Sequence, residues 1–226
     1  MPIFIRTSGT MDEIVAKPRR GRPPGRSPYQ EERRRQTRAA ILDAAANIFA
    51  ATPYVYATID DIIHAAKISR ATFYDHFESK FTLALAIYDG IAADWIGHFD
   101  RLAELDPARN RDLREWIAEL AQLYVAHGYV TPLVEQLAIF EQNFRMRLDH
   151  DRDALIDRLA TAGLRGFAAA MGTDHAARFQ RARLHLLLNR LDQLCGMLTR
   201  PGSIPSDDAN AYISILAEEL GQRLID

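Results

Sequence analysis

Cysteine is nearly absent from this chain: Cys195 stands alone among 226 residues. An internal disulfide is therefore impossible, and so is a zinc site built from paired cysteines. Long apolar runs are missing too. None approaches the roughly 18 residues that a membrane-spanning helix needs, so no membrane partner is expected. The first ten residues, MPIFIRTSGT, lack a basic start followed by an apolar stretch. No secretory leader is expected on that ground, and the cytoplasm is the expected compartment. The histidines at 64, 76, 98, 127, 150, 175 and 185 show no HExxH or related ligand spacing. No glycine-rich phosphate loop follows a strand, because no stretch alternates apolar and polar residues as a strand would. The acids around His150, at Asp149, Asp151 and Asp153, read as a solvated capping cluster at a helix junction. Neither catalysis, a metal nor a cofactor is expected.

What is present is ordinary for a globular protein: 48% hydrophobic and 26% charged residues, enough for one large or two small cores. Charge is unevenly spread. From Lys17 to Arg38 there are nine bases (Lys17, Arg19, Arg20, Arg22, Arg26, Arg33, Arg34, Arg35 and Arg38) against Glu31 and Glu32, or +7. In a chain of net charge −2, the remainder carries −9. A basic arm on an acidic body points to a polyanionic partner at the N-terminal end, the alternative being a solvated charged tail.

Residues 1–28 contain PRRGRPPGRSP, whose prolines and glycines prevent a regular helix. Helical periodicity starts near Glu31, with Ile41, Leu42, Ala45, Ile48 and Phe49 on one face, and Pro53 forbids continuation. Thr58 with Asp61 is a capping box opening a second helix whose apolar side is Ile59, Ile62, Ile63 and Ala66. After a break at Lys67-Ile68, Ser69 caps a helix of two turns, RATFYDHF. Ser79 caps a longer one beginning KFTLALAIYDGIAADWIGHF. Beyond Leu105 the periodicity predicts helices over 109–127, 131–149, 151–171, 174–199 and 207–225. The fold class expected is all-α: a three-helix domain of helix-turn-helix type at 29–79, after a basic arm at 1–28 expected to be disordered, and a larger helical domain at 80–226.

Two short helices with a tight turn make the helix-turn-helix unit. Phe73 and Phe77, four apart, face the core with Ile68 and Ala66. Arg70, Ala71, Tyr74 and Asp75 then face outward, where a major groove can receive them. The runs ILDAAANIFA at 41–50, TIDDI at 58–62 and AKISRATFYDHFESK at 66–80 resemble the TetR/AcrR family of bacterial transcriptional regulators. The run from Ser69 to Lys80 is highly specific to it. The remainder matches only in length and helicity.

The resemblance implies that Ser69 starts the recognition helix and that Arg70 and Ala71 approach base edges. Thr72, Tyr74 and His76 would contact phosphates or sugars. Thr58 and Lys80 would each hold a backbone phosphate, and Lys67 would add another. Two positions depart from the family pattern, which commonly has glycine where Pro53 and Lys67 stand. Lys67 is expected to need a left-handed backbone, at about 1 kcal/mol. Arg20-Gly21-Arg22-Pro23 resembles the core of an AT-hook, which would thread Arg20 and Arg22 into a narrow minor groove.

In the C-terminal region Leu184, Leu187, Leu188, Leu191, Leu194 and Leu198 form a broad stripe, joined by Tyr212, Ile213, Leu216 and Leu220. Such a stripe suggests a partner surface or, alternatively, packing within one subunit. The family resemblance implies a four-helix homodimer interface. Trp95, Phe99, Trp116, Tyr124, Phe140 and Phe144 are candidate walls of a cavity for a small apolar or aromatic ligand. His127, Gln136, Asn143 and Asn189 would orient it, the alternative for each aromatic being plain core. The function expected is a homodimeric repressor on a palindromic double-stranded DNA operator, released by a small molecule. The alternatives are a regulator governed by a protein partner or by nothing, and, remotely, a helical enzyme.

Overall fold

The computed structural model describes residues 27–200 and 202–225, so the expectations placed on Arg20, Arg22 and the rest of the arm before residue 27 lie outside the described residues. The chain divides into two units, Met1–Gln36 and Thr37–Asp226. Every regular element among the described residues is a helix. Helix α1 is Pro28–Ala51. It begins three residues earlier than the periodicity suggests, because proline suits a first helical position. Ser27 and Gln30 close a reciprocal box there: the Ser27 N–H donates to Gln30 Oε1 at 3.1 Å and the Gln30 N–H to Ser27 Oγ at 3.3 Å.

In the second unit the local signals act as read. Helix α2, Ile59–Ala66, opens on the Thr58–Asp61 capping box, with N–H···O distances of 2.9 and 3.2 Å. It closes on Lys67 in the left-handed region, φ 53° and ψ 46°, the one non-glycine residue with positive φ among the described residues. The Ile68 N–H then reaches back to Ile63 O at 3.2 Å, which ends the helix. Helix α3 is Arg70–Tyr74, capped by Ser69, and is shorter than the two turns expected. Its end tightens, with both His76 and Phe77 N–H groups on Phe73 O at 2.9 Å. That turn delivers Phe77 into the core and frees Ser79 to cap helix α4, Lys80–Asp100.

The remaining helices are α5 (Asn110–Ala126), α6 (Val130–Phe140), α7 (Gln142–Thr161), α8 (Arg165–Ala168), α9 (His175–Leu198) and α10 (Ser206–Ile225). The expected segments 131–149 and 151–171 are redrawn. The break falls at Glu141, extended at φ −118° and ψ 97°, where neither glycine nor proline marks it. The acids Asp149, Asp151 and Asp153, read as a junction, sit inside α7 instead. Helix α7 ends at Gly163, whose φ of +94° lets Leu164 bond back to Leu159 O at 3.3 Å.

Two cores result. One gathers Ile41, Ala45, Phe49, Ile62, Phe73, Phe77, Leu83 and Ile87, and draws in Leu133, Leu137 and Phe144 from α6 and α7. The other packs α5, α7, α8, α9 and α10 around Trp116, Leu120, Leu159, Leu184 and Leu220. Helices α8 and α10 meet so closely that a Cβ on Gly166 would lie 1.7 Å from the Arg223 carbonyl oxygen.

Lys80 belongs to this framework. Its ammonium donates to Tyr54 O at 2.6 Å and Ala57 O at 2.8 Å, and sits 4.3 Å from the centre of the Tyr54 ring. It thus fastens the turn after α1 to the start of α4. The Tyr54 hydroxyl continues the chain of contacts to Glu141 Oε1 at 2.9 Å.

Two stability changes are expected. Lys67→Gly relieves the left-handed strain and raises unfolding free energy by about 1 kcal/mol, seen as a higher urea midpoint at unchanged slope. Lys80→Met leaves two carbonyls without their charged donor and lowers stability by about 2 kcal/mol in the same measurement.

Candidate nucleic-acid interface and ligand cavity

Helix α3, expected to read DNA, has two unlike sides. Phe73 is fully buried, edge-on to Tyr74 at 5.4 Å and tilted against Phe77 at 6.1 Å. Ser69, Arg70, Ala71 and Tyr74 are exposed, and Thr72 and His76 are half-buried. The hydroxyls of Ser69 and Thr72 lie 2.8 Å apart, and Ser69 Oγ also accepts the Thr72 N–H, so both serve the cap as well as facing out. Thr58 is exposed but likewise engaged, its hydroxyl donating to Asp61 Oδ2 at 2.6 Å. Those bonds hold the Asp61 carboxyl below the usual carboxylate range.

Arg70 is not a free rod. Its guanidinium meets Asp60 of α2 at 2.6 Å, and that carboxylate pushes the Arg70 pKa further up. The pair joins the two helices of the unit across their exposed edge. Lys67 is exposed in the turn between them. Lys80, expected to hold a phosphate, is committed inward to two carbonyls, and burial pulls its pKa down. In the sequence Arg38 is the last of a run of bases. It lies over the Phe77 ring at 4.4 Å and reaches His76 O at 3.5 Å, which puts a cation beside the end of α3. Its spacing from Ile41 and Ala45 along α1 carried that signal.

A cavity of about 580 Å³ opens among α4, α5, α6, α7 and α9. Trp95, Phe99 and Tyr124 line it as expected, together with Tyr88. The other aromatics lie elsewhere. Trp116 is in the core behind Phe99, stacked on His98 at 4.6 Å, with its indole N–H donating to His98 O at 3.1 Å. Burial holds the His98 pKa below its ordinary value. Phe144 fills the other core, edge-on to Tyr88 at 5.2 Å. Phe140 and Asn143 stand exposed at the corner between α6 and α7.

The expected orienting groups also lie outside the cavity. His127 faces Asp94 at 3.2 Å, Gln136 donates to Pro132 O at 3.1 Å, and Asn189 is exposed. In their place the cavity has a rim of Arg147, Arg152, Arg158, Glu135, Asp151 and Asp192. The i,i+4 spacing of Arg147 and Asp151 is visible in the sequence, but of the two only Asp151 is singled out there, as part of a solvated capping cluster.

The leucine stripe is corrected too. Leu184, Leu187, Leu188, Leu191 and Leu194 of α9, and Leu216 and Leu220 of α10, are buried within their own chain. Leu198 and Ile213 are half-buried, and Tyr212 is exposed. The free apolar face lies on the opposite side. It runs through Phe179, Ala182 and Leu186 of α9 and Ala211 and Ile215 of α10, with Leu186 62% and Ile215 60% exposed. An Arg190–Glu219 ion pair ties the two helices together beside it.

Among the described residues no helix is long and apolar enough to cross a membrane, and no group of histidine, cysteine or acidic side chains is placed to hold a metal.

Comparison with known proteins matches residues 41–87 to bacterial regulatory proteins of the tetR family. The A-factor receptor protein of Streptomyces griseus is 43% identical over 54 residues, 24% of this chain. The match spans 20% of that receptor's length. Solved structures share the fold over most of the chain. A putative TetR-family regulator from Syntrophomonas wolfei superposes with a TM-score of 0.62 at 15% identity, covering 83% of this chain and 96% of that one. A TetR-like regulator from Rhodococcus sp. RHA1 gives 0.56 at 21% identity, covering 81% and 93%. The matched stretch, from the buried face of α1 through α3 into α4, is similar to the tetR family of bacterial regulatory proteins.

Proposed function

We propose that the chain is a sequence-specific DNA-binding transcriptional regulator, acting as a homodimeric repressor that a small molecule releases from its operator. The observation that carries the reading is the two-sided α3: Phe73 is sealed inside while Arg70, Ala71 and Tyr74 present an unburied flank. A flank of that size fits a major groove, where an arginine reads guanine through two hydrogen bonds. Residues 29–79 would read DNA and residues 80–226 would sense and dimerise. Arg20 and Arg22 of the preceding arm would enter the minor groove. Lys67, Thr58, Ser69, Thr72 and Tyr74 would face phosphates or sugars, and Arg38 would support them from α1.

Dimerisation is supported by the free face of α9 and α10, which is apolar at Phe179, Leu186 and Ile215. Two copies joined there would offer two recognition helices to half-sites about 34 Å apart on a palindrome. Switching is supported by the position of the cavity. Its walls include α4, which starts in the DNA-binding core, and α6 and α7, whose corner at Glu141 holds Tyr54. A ligand that spreads α6 from α7 would move that corner, and with it the turn leading to α2.

Genomic fragments selected by the protein and then footprinted should share a palindromic protected site. Arg70→Ala is expected to relax preference at one base position in each half-site, at about 1–3 kcal/mol. An unchanged sequence preference would sink the role given to Arg70. Leu186→Glu should shift sedimentation from dimer toward monomer and weaken operator binding; a variant that stays dimeric would move the interface elsewhere.

A further inference from the structure

The side chains that line the cavity carry equal numbers of opposite charges. Three guanidiniums line it, on Arg147, Arg152 and Arg158, and three carboxylates, on Glu135, Asp151 and Asp192. Each has a partner. Arg147 Nε donates to both oxygens of Asp151, at 2.8 and 2.9 Å, while its Nη2 reaches Asp89 at 3.0 Å. Arg152 pairs with Asp192 at 3.1 Å, Arg158 grips both oxygens of Asp100 at 2.5 and 2.6 Å, and Glu135 receives Arg200 at 2.6 Å. The phenols are committed as well: Tyr88 donates to Asp151 at 3.2 Å and Tyr124 to Asp192 at 2.5 Å.

Neutral groups make up the rest. The hydroxyl of Thr131 on α6 and the amide of Gln193 on α9 line the cavity without a hydrogen-bond partner among the described residues. They lie near each other, because the Thr131 methyl packs against Gly196, one turn along α9 from Gln193. The indole N–H of Trp95, buried at the wall, also lacks an acceptor. The apolar lining is Tyr88, Trp95, Phe99 and Tyr124 with Val134 and Leu155.

A ligand bringing a net charge would leave water for a place with no unpaired counter-ion. A carboxylate would meet guanidiniums whose charge is already offset by aspartates, and an ammonium would meet carboxylates already paired with arginines, so neither gains a free counter-ion to offset its lost hydration. An uncharged ligand needs none.

We infer that the cavity selects an electrically neutral molecule. Its aromatic or alicyclic body lies against the Tyr88–Trp95–Tyr124 wall, and a carbonyl, hydroxyl or amide is directed to Thr131 and Gln193. The inference rests on the sensing role proposed above for this cavity. The ion pairs serve as walls, not as ligand hooks, and organic acids and amines of the same shape are turned away.

Three compounds with one phenylbutyl body separate the alternatives: 4-phenylbutan-2-one, 4-phenylbutanoate and 4-phenylbutylammonium. The full chain, without DNA at pH 7, is titrated with each while its melting temperature and tryptophan fluorescence excited at 295 nm are followed. The ketone is expected to raise the melting temperature and change the Trp95 emission, with a Kd about ten-fold or more below either charged analogue. Trp95→Phe should remove the fluorescence response. Arg152→Met, which leaves Asp192 without its guanidinium, should turn the preference toward the ammonium. Tighter binding of the carboxylate or the ammonium by the unaltered protein overturns the inference, and so does failure of all three to act. A protein that binds the ketone yet shows no duplex preference breaks the DNA reading alone. One that selects a palindrome but prefers the carboxylate breaks this inference alone.

Discussion

Phe73 holds in place a helix too short to hold itself. Five residues make barely one hydrogen-bonded turn, and nucleating a helix costs more than so few bonds return. The segment Arg70–Tyr74 therefore takes its shape from what surrounds it. Phe73 and Phe77 enter the core formed by α1, α2 and α4, Ser69 caps its beginning, and the tightened turn at His76 ends it. A short helix anchored on one side leaves the other side clear, and that geometry is what DNA reading requires of it. The Arg70–Asp60 pair then limits where the arginine points before any duplex arrives.

The same core carries a mechanical connection. Leu83, Ala84 and Ile87 on the first half of α4 pack beside Phe73, while Trp95 and Phe99 on its second half face the cavity. A second link runs through Tyr54, which is clasped by Lys80 below and bonded to Glu141 above. Burial pushes the Tyr54 phenol pKa upward, so it remains a donor to Glu141 across ordinary pH. In the proposed regulator, a cavity whose walls end in those two links would supply the parts of a switch: a ligand would need only to bind one arrangement of α6 and α7 better than another.

The final helices carry apolar residues on two faces, and the two faces do different work. The leucines from Leu184 to Leu194 close the chain's own core with α5 and α10. Phe179, Leu186 and Ile215 remain outside, on a face flanked by the Arg190–Glu219 pair. An exposed face of that kind is where a second copy would sit in the proposed dimer.

The sequence by itself determined the local chemistry. The caps at Thr58, Ser69 and Ser79 are contacts across three residues, the left-handed Lys67 follows from a missing glycine in a tight turn, and the buried side of α3 follows from the spacing of Phe73 and Phe77. These interactions close within a few residues, so they are legible without knowing the neighbours. Tertiary structure decided everything that depends on which face meets which. The break at Glu141 has no glycine or proline and is held by Tyr54, 87 positions away. Trp116 and Phe144 went to cores and Phe140 to solvent, while Asp151, expected to be solvated, lines the cavity. Lys80 turned from a candidate phosphate ligand into an internal clasp, and the leucine stripe turned inward. Periodicity assigns a residue to a side of its helix; only packing assigns that side to a core, a cavity or a partner.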